Sequence, residues 1–211
     1  ETVGIPYEWL TPSQIKDRWP LINTGDLEGA IYHPTDGYIN PADVTMAMAK
    51  GARQRGVIID RKWQVDGYEW TGSAWNVTCT KMVEKGGNLL PSDEKRIISA
   101  EHVVTATGNH AQRTAKLLNL KIPAIPVEHQ FIVTDQDPTL VDWRKNNLEH
   151  PVIRDADAQS YVREERGGWI LGVYEKNAPA RFEYGVPDSF RADLFQLDLE
   201  RIEDQYMAMI H

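Results

Sequence analysis

The chain has 211 residues, 41% of them hydrophobic and 26% charged, which is enough apolar material for one or two packed domains. A net charge of -8 without any basic cluster argues against a nucleic-acid partner, since phosphate-backbone binding needs concentrated Lys and Arg, whereas a small anionic ligand needs only one or two local arginines. No apolar run approaches the roughly 20 residues of a membrane span, so no membrane insertion is expected; the single cysteine, Cys79, excludes an intrachain disulfide and points to no metal site. A reducing compartment fits this usage, either the cytoplasm or, in a eukaryote, the mitochondrial matrix.

In chain order, Thr11-Pro12-Ser13 opens a short helix running toward Trp19, with proline where its missing N–H costs nothing. Gly29 to His33 reads as a strand, and Pro34 to Pro41 as a polar loop. Asn40-Pro41 starts a helix with Val44, Ala47, Met48 and Ala52 on its apolar face, ended by Gly56; its small residues suit close packing on a sheet. Val57 to Ile59 is a strand. Trp63 to Trp70 and Ala74 to Thr80 alternate around Gly72-Ser73, predicting an antiparallel hairpin or meander, and Lys85 to Asn88 is a further turn. The polar segment to Lys95 is expected to be exposed, with a strand resuming at Arg96 to Ala100.

Glu101-His-Val-Val-Thr-Ala-Thr-Gly-Asn-His110 predicts a buried β-branched strand that hands its backbone to a glycine, followed by a helix over Ala111 to Leu120. The residues alone leave two readings open: a plain strand-to-helix turn, or a helix start that receives a phosphate. Beyond Leu120 the pattern becomes antiparallel sheet, with strands at Ile125 to Thr134, Gln159 to Glu164 and Gly168 to Tyr174, the last two joined by the Glu165-Arg-Gly-Gly168 turn. Asp188 then caps a long amphipathic helix carrying Leu194, Leu197, Leu199, Ile202, Tyr206 and Met209. The chain starts without Met and stops inside a helical pattern, so it reads as an internal piece of a longer protein. The class is mixed α/β (α+β).

Tyr32-His-Pro-Thr-Asp-Gly-Tyr-Ile-Asn-Pro41, Ala49 to Gly56, Val103-Val-Thr-Ala-Thr-Gly108, Ile125-Pro-Val-Glu-His-Gln130, Pro151-Val-Ile-Arg154, Tyr161-Val-Arg-Glu-Glu165 and Gly172-Val-Tyr-Glu175 follow one another in a specific order. Together they resemble the dimethylglycine dehydrogenase and sarcosine dehydrogenase family, FAD-dependent amine oxidoreductases with the fold of D-amino-acid oxidase. The resemblance implies a substrate-side lead-in at 1–40, part of the FAD-binding domain at 41–120, and a substrate-domain antiparallel sheet with closing helix at 121–211. The Gly-rich dinucleotide fingerprint, the flavin-linking histidine, the C-terminal flavin segment and the folate domains of many members are not in this sequence. The isolated chain is therefore expected to hold FAD weakly and to be inactive alone, with tetrahydrofolate only through domains outside it. Asn109-His110-Ala111 also departs from the aromatic residue and alanine common in relatives.

For individual residues, ordinary structural roles stand beside the implied ones. By chemistry alone His129 is a hydrogen-bonded structural histidine or a base, Tyr161 a core tyrosine with its hydroxyl at the rim, and Arg154 and Arg163 surface ion-pair partners of nearby carboxylates. The resemblance implies that His129 lies over the flavin and accepts the ammonium proton, work suited to an imidazole titrating near neutrality. It implies that Tyr161 contacts flavin and orients substrate, that Arg154 or Arg163 grips a substrate carboxylate, and that Val65, Ala106, Thr107 and Gly108 contact FAD. The implied reaction removes an N-methyl group from a small amine as formaldehyde by hydride transfer to flavin. Alternatives are oxidation of another amine or amino acid on the same fold, or a non-catalytic nucleotide-binding module; the residues name no electron acceptor.

Overall fold

The computed structural model of the chain describes residues 4–190 and 193–210. It is a mixed α/β structure whose strand pairings among the described residues are all antiparallel, and it divides into two compact units. No described helix is long and apolar enough to cross a membrane.

The first unit comprises 1–40, 129–178 and 195–211. Strand β1 (Glu8–Leu10) pairs with β2 (Ala30–Tyr32). Between them α1 (Pro12–Arg18) starts as expected, through a full capping box: the Thr11 amide donates to Gln14 Oε1 at 2.9 Å while the Gln14 amide donates to Thr11 Oγ1 at 3.5 Å. A four-stranded sheet, in the order β6 (Phe131–Val133), β9 (Gly168–Val173), β8 (Ser160–Glu165), β7 (Ile153–Asp155), forms the body of the unit. The β8–β9 hairpin closes on Arg166 and Gly167, both at positive φ. One sheet face meets the core of Leu10, Ile15, Leu140, Leu171, Val173 and Ile202.

Within that core, Glu164 accepts the His150 backbone N–H at 2.8 Å and contacts its Nδ1 at 2.5 Å. The imidazole ring is stacked by Trp19 at 5.3 Å and Trp143 at 5.0 Å between ring centroids, with Trp169 tilted at 6.1 Å. The hydrogen bonds to Glu164 offset part of the desolvation of these buried polar groups. Helix α4 (Pro138–Trp143), not foreseen from the sequence, is capped by Asp137, whose Oδ1 accepts the Thr139 amide at 2.9 Å. The Trp169 indole N–H donates to Asp137 Oδ2 at 3.0 Å, and this bond chiefly holds the Asp137 carboxyl below its ordinary pKa.

The second unit comprises 41–128 and 179–194. Helix α2 (Pro41–Gln54) ends at Gly56, which takes a φ of 86° in the left-handed region. Strands β3 (Trp63–Trp70), β4 (Trp75–Lys85) and β5 (Asn88–Ala100) form a meander, and Gly86 and Gly87, both at positive φ, make the second turn. Helix α3 (Ala111–Leu117) lies against β3.

Four sequence expectations are corrected here. Val57–Ile59 and the Glu101–Thr107 stretch are not strands, and Ile58 and Val104 are 84% and 89% exposed; a strand exists only through a laterally bonded neighbour, and these segments have none among the described residues. Helix α2 buries no residue, so its small side chains pack against no sheet among the described residues. The polar stretch before Lys95 is largely exposed, as expected, and forms the first half of β5, paired as Met82 with Pro91 through Lys85 with Asn88. The strand expected from Ile125 is confined to Phe131–Val133, because Val127 instead forms an isolated bridge with Ala180.

The long helix from Asp188 is also absent, apart from Arg191 and Ala192, which lie outside the described residues. A 3-10 turn at Glu200–Ile202 leads into α5 (Glu203–Ile210). Asp188 pairs with Arg113 at 3.2 Å instead of capping a helix. The Asp198 amide donates to Gln130 Oε1 at 2.7 Å and its carbonyl accepts the Gln130 side-chain N–H at 3.0 Å, so the backbone groups a helix would use are bonded to a side chain distant in sequence.

Candidate active site

Alternation along the four-stranded sheet decides which side chains share its open face. Register pairs Arg154 with Tyr161, Tyr161 with Gly172, and Gly172 with Phe131, so these four form one cross-strand row. Strand period two adds Arg163 on β8, Ile170 and Tyr174 along β9, and Val133 on β6. Phe131 and Val133 are exposed on this face, while Ser160, Glu164, Leu171 and Val173 are buried on the other.

Tyr161 leans across β9 over Gly172. A Cβ on that glycine would overlap the Tyr161 ring near Cζ and the hydroxyl, so only glycine leaves the ring this position. The Tyr161 and Tyr174 ring centroids are 5.6 Å apart at 55°, and the Arg154 guanidinium lies 4.8 Å from the Tyr174 centroid. Burial raises the Tyr161 phenol above its ordinary pKa, the Tyr174 hydroxyl adds to this, and the Arg163 charge opposes it.

The two arginines differ. Arg163 Nη1 donates to Glu165 Oε2 and to the Glu164 carbonyl, each at 2.8 Å, and its guanidinium stacks 4.3 Å from the Tyr38 centroid. Tyr38 in turn donates its hydroxyl to Glu149 at 2.6 Å, the chief cause of its raised pKa. Arg154 is exposed and has no carboxylate partner among the described residues. Its neighbour Asp155 is engaged elsewhere, with Oδ1 accepting the amides of Asp157 at 2.8 Å and Ala158 at 2.9 Å.

His129 was ambiguous by sequence period, and burial resolves its face. Glu128 and Gln130 are buried, whereas Val127, His129, Phe131 and Val133 are exposed. Gln130 is anchored to Asp198, and Glu128 Oε2 accepts from Arg181 Nε at 2.6 Å. His129 is therefore exposed on the same alternation as Phe131, just ahead of β6. The open face thus collects Arg154, Tyr161 and Arg163, with His129 exposed just ahead of β6, together with Tyr38, Gly172 and Tyr174, which sequence reasoning did not single out. Alternation through Gly168, Ile170, Gly172 and Tyr174 was the signal that identifies the last two.

Val65, Ala106, Thr107 and Gly108 lie in the second unit. Val65 is on β3, an edge strand of the meander, beside a register shift between Val65 and Gly67; an edge strand offers outward backbone N–H and C=O groups. Ala106, Thr107 and Gly108 are exposed, Gly108 has a φ of 52°, and its Cβ side is open. Thr114 Oγ1 donates to Thr107 Oγ1 at 3.0 Å, tying this turn to α3. An exposed backbone turn on glycine leaves room for the close approach of a dinucleotide.

The profile of the family described as "DAO: FAD dependent oxidoreductase" matches residues 1–210. Mouse mitochondrial dimethylglycine dehydrogenase is 32% identical over 94% of this chain and 22% of its own length. The mouse pyruvate dehydrogenase phosphatase regulatory subunit is 33% identical over 87% of this chain and 19% of its length. The chain thus spans about a fifth of the length of these relatives. Among solved structures, L-proline dehydrogenase from P. horikoshii shares the fold, with a TM-score of 0.68 over 98% of this chain and 49% of that one, at 20% identity.

Proposed function

The chain belongs to the FAD dependent oxidoreductase family, and from that premise we propose that the protein oxidises the N-methyl group of a small N-methylated amino acid of the dimethylglycine or sarcosine type. The observation that carries this reading is the open sheet face bearing Tyr161 and Arg154, the latter with no carboxylate partner among the described residues, with His129 exposed just ahead of β6. Those are the groups an amino-acid substrate requires.

In this reading the first unit is the substrate side, and the second holds the cofactor through the backbone of Val65 and of Ala106, Thr107 and Gly108. FAD, when bound, supplies the acceptor for a hydride from the N-methyl carbon. An imidazole nitrogen of His129 takes the ammonium proton, leaving the amine lone pair free to assist hydride loss. Tyr161 keeps its phenol proton because burial disfavours the phenolate, so it donates a hydrogen bond that orients the substrate. Arg154 receives the carboxylate in the fork geometry that guanidinium matches. Arg163, already bonded to Glu165 and stacked on Tyr38, has its charge and donors engaged and offers no free fork. The mitochondrial relatives support a matrix location in a eukaryote.

The similarity to a phosphatase regulatory subunit supports a second reading, in which the chain is a binding module of a larger assembly. Anaerobic spectroscopy of the full-length protein separates them. A yellow protein bleached by dimethylglycine or sarcosine is the expected result; bleaching only by other amines replaces the substrate, and a purified protein without flavin overturns the enzymatic reading.

A further inference from the structure

We propose that Tyr174 is a positioning residue that holds the Arg154 guanidinium ready for a substrate carboxylate. This rests on the reading above that Arg154 takes the carboxylate, and deepens it by naming what orients that arginine.

An arginine on an open sheet face is ordinarily fixed by a carboxylate. Arg163 is held that way, by Glu165 at 2.8 Å, with Tyr38 beneath it. Arg154 has no such anchor among the described residues: Asp155 points its carboxylate at the Asp157 and Ala158 amides. What Arg154 has is the Tyr174 ring, 4.8 Å from its guanidinium. Ordering an exposed arginine costs rotamer freedom, and stacking on an aromatic face offsets part of that cost without consuming an N–H donor. A carboxylate anchor would consume donors and neutralise the charge; an aromatic anchor leaves both for an incoming anion.

Tyr174 is itself held in place. Its amide donates to the Gln159 carbonyl at 2.7 Å, continuing the β8–β9 ladder one residue beyond the assigned strands, and its ring lies 5.6 Å from that of Tyr161. Gly172, two residues earlier on the same face, leaves the room that Tyr161 fills. The two tyrosines and the glycine thus set the direction in which Arg154 extends.

The test uses the full-length flavoprotein and methoxyacetate, which has the carboxylate but no oxidisable amine, with binding measured by calorimetry. Arg154→Leu should weaken binding by about tenfold or more, as loss of a charge-assisted pair does. Tyr174→Leu should weaken it about two- to fivefold, the value of an exposed cation–π contact, and Tyr174→Phe should recover most of that loss. The double variant Arg154→Leu/Tyr174→Leu should bind no more weakly than Arg154→Leu alone. With substrate, Tyr174→Leu should raise KM and leave kcat close to that of Tyr174→Phe. If Arg154→Leu weakens binding while Tyr174→Leu does not, or the two losses add, the positioning role is overturned and the carboxylate reading stands. If Arg154→Leu binds like the parent, the carboxylate reading falls, and this inference with it.

Discussion

The ring of Tyr161 on β8 occupies the space that a side chain at Gly172 on β9 would need. Gly172→Ala should therefore force the tyrosine to another rotamer or strain the strand pair, at a cost of ~1–3 kcal/mol, the usual range for overpacking. Chemical denaturation checks this, and the double variant Tyr161→Leu/Gly172→Ala should recover part of the loss. Equal stability of Gly172→Ala and parent would show that the ring moves freely.

Tyr161 should ionise later than exposed tyrosines. Burial raises its folded-state pKa, so the stability linked to this phenol is fully present below the unfolded tyrosine value of about 10 and is lost as pH rises through the raised folded value. A phenolate absorbance titration of parent against Tyr161→Phe should place the missing transition above that of the exposed tyrosines.

His129 should govern the reductive half-reaction. His129→Gln in the full-length protein is expected to leave FAD bound and to slow flavin reduction by roughly 10²–10⁴-fold, with an altered pH profile. Stopped-flow reduction at several pH values is the measurement. A parental rate and profile in His129→Gln, together with slow reduction in His33→Gln or His110→Gln, would assign the proton transfer to the wrong histidine.

Asp137 should stabilise the first unit in a pH-dependent way. Its lowered pKa, caused first by the Trp169 indole bond and opposed by burial, makes its contribution present above the unfolded aspartate value of about 4 and lost as pH falls through the folded value. Asp137→Ala should cost ~1–2 kcal/mol at neutral pH through the lost cap of α4. Thermal melts at pH 7 and pH 3 test it: the gap between parent and variant should narrow in acid.

Local chemistry was legible in the chain. Thr11-Pro12 with Gln14 spelled out the cap of α1, Gly86-Gly87 and Arg166-Gly167 the hairpin turns, and alternation the strands β3, β4, β8 and β9, because each of these depends on neighbours within a few residues. Asp137-Pro138 carried an equally local cap signal for α4 that went unused. The ordered blocks from Tyr32 to Glu175 carried the family.

What the chain could not show is everything decided by partners distant in sequence. Val57–Ile59 and Val103–Thr105 have strand composition, but composition does not provide a neighbour to bond. The pattern from Asp188 to Met209 is helical in period, yet the Gln130 amide takes the Asp198 backbone from 68 residues away and the helix begins only afterwards. The face of His129 was undecidable until burial of Glu128 and Gln130 set the phase. Arg154 and Arg163 read alike in sequence, since each is surrounded by carboxylates; only the tertiary contacts, which fasten Arg163 to Glu165 and leave Arg154 on an aromatic ring, tell them apart. An electrostatic role depends on where charges lie in space, and spacing along the chain does not encode that distance.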